Sequence, residues 1–315
     1  TVTFSESVTG VDRYDFSLIG DGTLTGYSII SVGGTGLART VAVNTGTGSG
    51  TLRLDLIDND TIKDAMNYRL GGTGTGNGNF TTGQSYSIDR DSPMVVSIVR
   101  ASANPTGAAA VNFTVTFSES VIGVDRYDFS LFTDGTLSGV SIVSVGGTGA
   151  VRTVTVNTGT GNGTLRLDLI DNDTIKDLSN FRLGGTGIGN GNFTTGQSYT
   201  VDKTFPTVVS IVRLSANPTS ATTVSFRVTF SESVTGVDKY DFSLIGDGTL
   251  AGFTITSVGG TGITRTVYVN TGTGSGTLRL DLIDNDTIKD SSNYRLGGTG
   301  TGNGNFTTGE SYNVR

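Results

Sequence analysis

The ten residues DLIDNDTIKD at 55–64 recur letter for letter at 168–177 and at 281–290, a constant step of 113 residues. Other landmarks keep the same step: Glu6, Glu119 and Glu232 stand in FSES, and Tyr86, Tyr199 and Tyr312 lie near the end of each copy. A fixed period defines the structural unit, and this one exceeds the roughly 20–50 residues of a solenoid repeat while matching a domain of about 100–150. The chain is expected to be a tandem array of whole domains, 1–89, 90–202 and 203–315. Thr1 aligns with Thr114, so the unit 1–89 lacks the counterpart of residues 90–113. Two readings of that gap stand: a segment of a longer array, or a first unit completed by a strand donated from a neighbouring molecule.

Within 90–202 the apolar residues alternate with polar ones. MVVSIVR (94–100), VNFTVTF (111–117), YDFSL (127–131), GVSIVSV (139–145), VRTVTVN (151–157), TLRLDLI (164–170) and SYTVD (198–202) read as strands, with Gly, Asn or Asp at nearly every junction. Seven strands in a unit of this size predict an all-β fold, tandem immunoglobulin-like β-sandwiches forming an elongated rod. DRDSP (89–93) and DKTFP (202–206) connect the units. A short connection containing Pro limits bending. Phe117, Phe129 and Tyr199 are assigned to the core, and Phe205 to covering a junction.

Several chemistries are excluded by what is missing. The chain has no His, no Cys and no Trp. This removes Ser–His–Asp and Cys–His nucleophile systems, zinc sites built on imidazole or thiolate, and disulfides. Lys and Arg number 21 against 28 Asp and Glu, a net charge of −7 that argues against nucleic acid as a partner. No apolar run reaches the roughly 18 residues of a membrane span. Carboxylate pairs drawn from Glu6, Asp12 and Asp55 could be imagined for glycoside hydrolysis, but their triplication argues against an enzyme.

The run SANPTSATTVSFRVTFSESVTGVDKYDFSL (215–244), with GTLRLDLIDNDTIKD, LGGTGTGNGNFTTG and SYTVDKTFP, resembles the bacterial Ig-like domains found in tandem in very large surface proteins and adhesins. The resemblance covers all three units. It implies an extracellular, cell-surface location and a non-catalytic role, either the stalk of an adhesin or a subunit of a surface filament. Its partners would then be neighbouring repeats of the same or an identical chain. The alternative is a module binding glycan or host protein through its Gly-rich loops.

The repeated acidic stretch leaves two readings open. Asp55 belongs to a strand and is assigned to its solvent face, with Leu52, Leu54 and Leu56 facing inward. Asp58, Asn59 and Asp60 then form a turn, where their side chains bond nearby backbone N–H groups. An EF-hand is ruled out, since Ile62 and Lys63 occupy the positions that need an oxygen ligand and Gly. A calcium site forms only if the turn acids meet oxygens from another loop. The candidate ligands are Asp58, Asp60 and Asp64, their copies Asp171, Asp173, Asp177, Asp284, Asp286 and Asp290, and the linker residues Asp89, Asp91 and Asp202, with the FSES glutamates as natural partners. Asp91 is replaced by Thr204 in the second linker. LGGTGTGNGNFTTG (70–83) lacks the Asp of a calcium-binding nonapeptide and the Lys of a phosphate loop, and is expected to be a tight or mobile hairpin loop.

Overall fold

Val224, Phe226, Val228 and Phe230 alternate with Ser225, Arg227 and Thr229. An extended backbone buries one face of such a pattern, because successive side chains point to opposite sides. The four apolar residues are at most 3% exposed. A computed structural model describes all 315 residues, and it carries this principle through an all-β chain with three single-turn 3-10 helices. The chain divides into two compact units, Thr1–Met94 with Glu119–Gly123 and Asp173–Asn190, and Val95–Ser118 with Val124–Asn172 and Gly191–Arg315. No helix is long and apolar enough to cross a membrane.

The first unit contains β1 (Val2–Val8), β2 (Phe16–Gly20), β3 (Ser28–Gly33), β4 (Gly36–Asn44), β5 (Gly50–Leu56) and β6 (Ser85–Ile88). They form the antiparallel sheets β1-β4-β3 and β2-β5-β6, which share a core of Phe4, Val8, Phe16, Leu56 and Ile62.

The second unit begins with β7 (Val95–Arg100) and β8 (Ala110–Phe117). A two-residue strand that belongs to the first unit follows, β9 (Val121–Ile122). Next come β10 (Phe129–Thr133), β11 (Ser141–Gly146), β12 (Val151–Asn157) and β13 (Gly163–Leu169). A second short strand of the first unit, β14 (Lys176–Asp177), pairs with β9. The chain continues through β15 (Ser198–Val201), β16 (Val208–Arg213), β17 (Thr223–Phe230), β18 (Phe242–Gly246), β19 (Thr254–Gly259), β20 (Thr264–Asn270), β21 (Gly276–Leu282) and β22 (Ser311–Val314).

The sheets β16-β17-β20-β19 and β18-β21-β22 enclose one core in which Phe226, Val228 and Val267 meet Leu278, Leu280 and Tyr312. Lettered A to G in chain order, this is ABED on CFG, the arrangement of a constant-type immunoglobulin sandwich. The sheets β7-β8-β12-β11 and β10-β13-β15 repeat it. In the first unit the outer edge of β1 carries no strand, although the matching edges of β8 and β17 carry β7 and β16. Tyr86 is accordingly 77% exposed, whereas Tyr199 and Tyr312 are fully buried.

Two local expectations are corrected. Tyr127 and Asp128 do not begin a strand; they lie in a 3-10 turn, Arg126–Asp128, and the strand starts at Phe129. Asp125 accepts from Tyr127 N–H at 2.7 Å and Asp128 accepts from Asp125 N–H at 2.6 Å, a reciprocal cap that winds the chain once. Asp55, assigned to a solvent face, is 4% exposed, because the Arg53 guanidinium lies across its carboxylate at 2.7 and 3.0 Å.

Tyr312 joins the last strand of its sandwich to the first hairpin. Its ring stands edge-on to Phe226 at 5.1 Å. Its hydroxyl accepts from Leu214 and Ser215 N–H at 3.1 and 2.8 Å and donates to Ser225 O at 2.8 Å. Tyr312→Phe keeps the ring but strands these backbone groups, and is expected to destabilise its sandwich by about 1–2 kcal/mol in urea unfolding.

Candidate functional site: the acidic clusters

The three copies of DLIDNDTIKD use their acids in two different ways. After β21 the chain turns at Asp284, whose Oδ1 accepts from Asp286 N–H at 3.0 Å and whose Oδ2 accepts from Gly304 N–H at 3.2 Å. Asp286 sits at φ 69°, accepts from Gly300 N–H at 3.1 Å and pairs with Arg295 at 2.9 Å. Asp58 and Asp60 repeat this geometry on Gly78, Gly74 and Arg69. Asp171 takes Gly191 N–H, and Asp173 takes Gly187 N–H and Arg182. These six carboxylates therefore fix the Gly-rich loop as a defined turn, held by charge-assisted bonds to its backbone. None of them belongs to an acidic cluster.

The last acid of the stretch behaves differently. Asp290 Oδ1 accepts from Ser292 and Tyr294 N–H, both at 2.8 Å, and Asp177 Oδ1 accepts from Phe181 N–H at 2.9 Å. The second oxygen of each, Oδ2, has no hydrogen-bond partner, although Asp177 and Asp290 are only 1% and 4% exposed. Buried polar atoms are nearly always paired, so each of these needs an explanation.

Each orphan belongs to a trio. Asp89, Glu119 and Asp177 lie in the first unit with one carboxylate oxygen each within 4.8 Å of the others, and Asp202, Glu232 and Asp290 do the same in the second. In the first trio, the pairing of Asp177 with Val121 on β14 and β9 brings the acid beside Glu119, two residues upstream. In the second, Thr235 and Lys289 exchange backbone bonds of 2.7 and 3.1 Å. The chain then turns at Gly236, where φ is 80° and a Cβ would stand 2.3 Å from Thr287 O. Only glycine fits that close approach. Arg265 holds the same loop by donating to Val234 O at 2.6 Å.

Asp202 enters from the segment joining the two sandwiches of the second unit. Lys203 N–H donates to Asn162 Oδ1 at 2.7 Å, and its ammonium donates to Gly159 O. Downstream, Gly297 N–H donates to Pro206 O at 2.9 Å and Thr207 N–H to Ser231 Oγ at 2.9 Å. Phe205 stands edge-on to Tyr294 at 5.0 Å, and the Tyr294 hydroxyl donates to Gly107 O at 2.9 Å. The segment is thus bonded to the sandwich on either side of it.

None of the six clustered acids forms an ion pair with Arg or Lys. Burial, with the charges of Asp202 and Asp290, pushes the Glu232 carboxyl up to about 6. Burial, with Asp89 and Asp177, raises that of Glu119. Asp290 is raised chiefly by burial, against the pull of its N–H donors. Asp91 lies outside its trio and adds to the negative field on Glu119. Asp64, in the first copy, accepts from Met66 and Tyr68 N–H, both at 2.8 Å, and joins no trio. Of the candidate ligands, then, Asp89, Asp177, Asp202 and Asp290 are brought together with Glu119 and Glu232; the remaining eight, and Glu6 of the first FSES, are not in either trio.

No protein-family model matches the sequence, and no curated protein matches it. Among solved structures, the chain is similar to invasin, a bacterial integrin-binding protein, with a TM-score of 0.32 and 10% identity over 97% of this chain and 53% of that one. It is similar to the D0-D1 domain of intimin with a TM-score of 0.21 and 16% identity, covering 59% of this chain and 89% of that one. Domains 1-6 of the surface layer protein SbsC match with a TM-score of 0.23 and 15% identity over 99% of this chain and 52% of that one. The chain spans about half the length of the invasin and SbsC chains.

Proposed function

We propose that the chain is part of a non-catalytic, extracellular array of immunoglobulin-like sandwiches, serving as the stalk of a bacterial surface adhesin or as a strand of a surface filament. The observation that carries this reading is the connection at 202–207, where a short segment is hydrogen-bonded to the sandwich before it and to the one after it. A spacer needs such joints, since its length comes from copy number and its stiffness from the connections. The near-identical copies fit that use, and the resemblance of the repeats to tandem Ig-like domains of large surface proteins points the same way.

Small-angle scattering of the whole chain tests the spacer. A compact globule of this length would have a radius of gyration of about 20 Å, and an extended array is expected to exceed it clearly. A value close to the compact one would overturn the reading. Protease shaving of intact cells tests the location: loss of antibody signal is the expected result, and full protection until lysis would count against it.

A further inference from the structure

We propose that Asp202, Glu232 and Asp290 hold one calcium-like divalent cation, and that Asp89, Glu119 and Asp177 hold a second. Three observations converge on this. Each trio presents three carboxylate oxygens within 4.8 Å of one another. Oxygens ligating calcium stand 2.3–2.6 Å from the ion, so opposite ligands are about 5 Å apart and three such oxygens fit around one ion. Each trio also contains an aspartate oxygen that is buried and has no hydrogen-bond donor, Asp290 Oδ2 in one and Asp177 Oδ2 in the other. Finally, no Lys or Arg forms an ion pair with any of the six acids, so neither trio is neutralised by a salt bridge within the protein.

The donor chemistry selects the ion. All three ligands are hard carboxylate oxygens, and the chain has no His or Cys to favour zinc or copper. The net charge brought by three carboxylates suits a divalent cation, with water and backbone oxygen completing the six to eight ligands calcium takes. The two trios keep the same three residue types while their surroundings differ: Arg90 and Asp91 flank one, Lys203 and Thr204 the other. The acids of DNDT, Asp58 with Asp60 and their copies, are already satisfied by the Gly-rich loop and lie outside the proposal.

Within the second unit the cation would link Asp202, at the end of one sandwich, to Glu232 and Asp290 of the next. It would act as a clamp on the connection already strapped by Lys203 and Phe205.

Calorimetric titration of the full chain with calcium chloride, after exhaustive chelation, tests this. The expected result is saturation near two ions per chain and a melting temperature raised by several degrees at about 1 mM calcium, with magnesium binding more weakly. The double variant Glu119→Gln with Glu232→Gln removes one ligand charge from each trio and relieves like-charge crowding. It should be at least as stable as the parent without calcium, yet bind calcium at least about tenfold more weakly and lose the thermal shift. Absence of both heat and shift in the parent would overturn the proposal. So would a full shift in the double variant, or magnesium binding as tightly as calcium.

Discussion

Phe226→Ala is expected to cost the sandwich built from β16 to β22 about 3–5 kcal/mol, the largest single-residue effect predicted for this chain. Phe226 is fully buried and lies opposite Val267 on β20. Its ring also backs Tyr312, 5.1 Å away and nearly perpendicular. Truncation removes the transfer free energy of the ring and leaves a cavity that its neighbours cannot fill. Tyr312 is the obvious candidate to move in, but its hydroxyl is fixed by three backbone bonds. Because the second unit holds two sandwiches, unfolding should be followed as separate transitions, since a single two-state fit does not apply. Only one transition should shift, as Phe113, the equivalent residue, is untouched. A loss below about 1 kcal/mol would mean that the core relaxes far more freely than its packing indicates.

Arg265→Met should be the second largest effect, about 2–3 kcal/mol. The arginine is 6% exposed and shares the inner face of β20 with Val267 and Val269. Its guanidinium donates to Gly262 O at 3.0 Å, to Thr264 O at 2.9 Å and to Val234 O at 2.6 Å. Methionine preserves most of the buried stem, so the change reads out the lost bonds rather than lost packing. Three carbonyls lose a charged donor at about 1–3 kcal/mol each, offset by water reaching the more open ones and by the desolvation that the guanidinium no longer suffers. Val234 lies two residues from Glu232, so the substitution should also loosen the loop that carries this acid. Chemical unfolding measures the stability, and hydrogen exchange at Val234–Gly236 reports the loop. Unchanged exchange there would show that Arg265 holds the strand without holding the loop.

The strands were legible because alternation is a physical requirement of a half-buried sheet, and VNFTVTF and TLRLDLI meet it. MVVSIVR, with Val95–Val96 and Ile98–Val99 adjacent, meets it only in part, and its pairing shifts register between Val95 and Ser97. The inner face of β12 shows the limit of that rule. Arg152 alternates with Val154 and Val156 and lies on their side, 6% exposed, yet nothing local distinguishes it from an arginine pointing to solvent. Only the bend of the chain, which turns backbone carbonyls toward it, makes an inward arginine stable. Asp55 was misplaced for a related reason: strand parity identified its face, but Arg53 covers that face.

The acidic stretch was legible as a turn. Which of its acids meets other carboxylates depends on distant backbone. Gly74 and Gly78 claim Asp60 and Asp58 from well downstream, whereas the bridge between Thr235 and Lys289 places Asp290 beside Glu232. Glu119 and Glu232 of FSES and Asp89 and Asp202 of the linkers come close to Asp177 and Asp290, because loops at the ends of strands can converge whatever the sequence distance between them.

The exposed Tyr86 has a spectroscopic consequence. With no Trp in the chain, near-ultraviolet circular dichroism must come from tyrosine and phenylalanine alone. Tyr199 and Tyr312 are locked in asymmetric surroundings by their hydroxyl bonds and by edge-on neighbours. Tyr86, at the same position in its sheet, lies open to solvent. Fixed side-chain packing generates this signal and averaging erases it. The tyrosine that closes each sandwich is therefore an intrinsic optical reporter of whether a first hairpin lies over it, readable without a label.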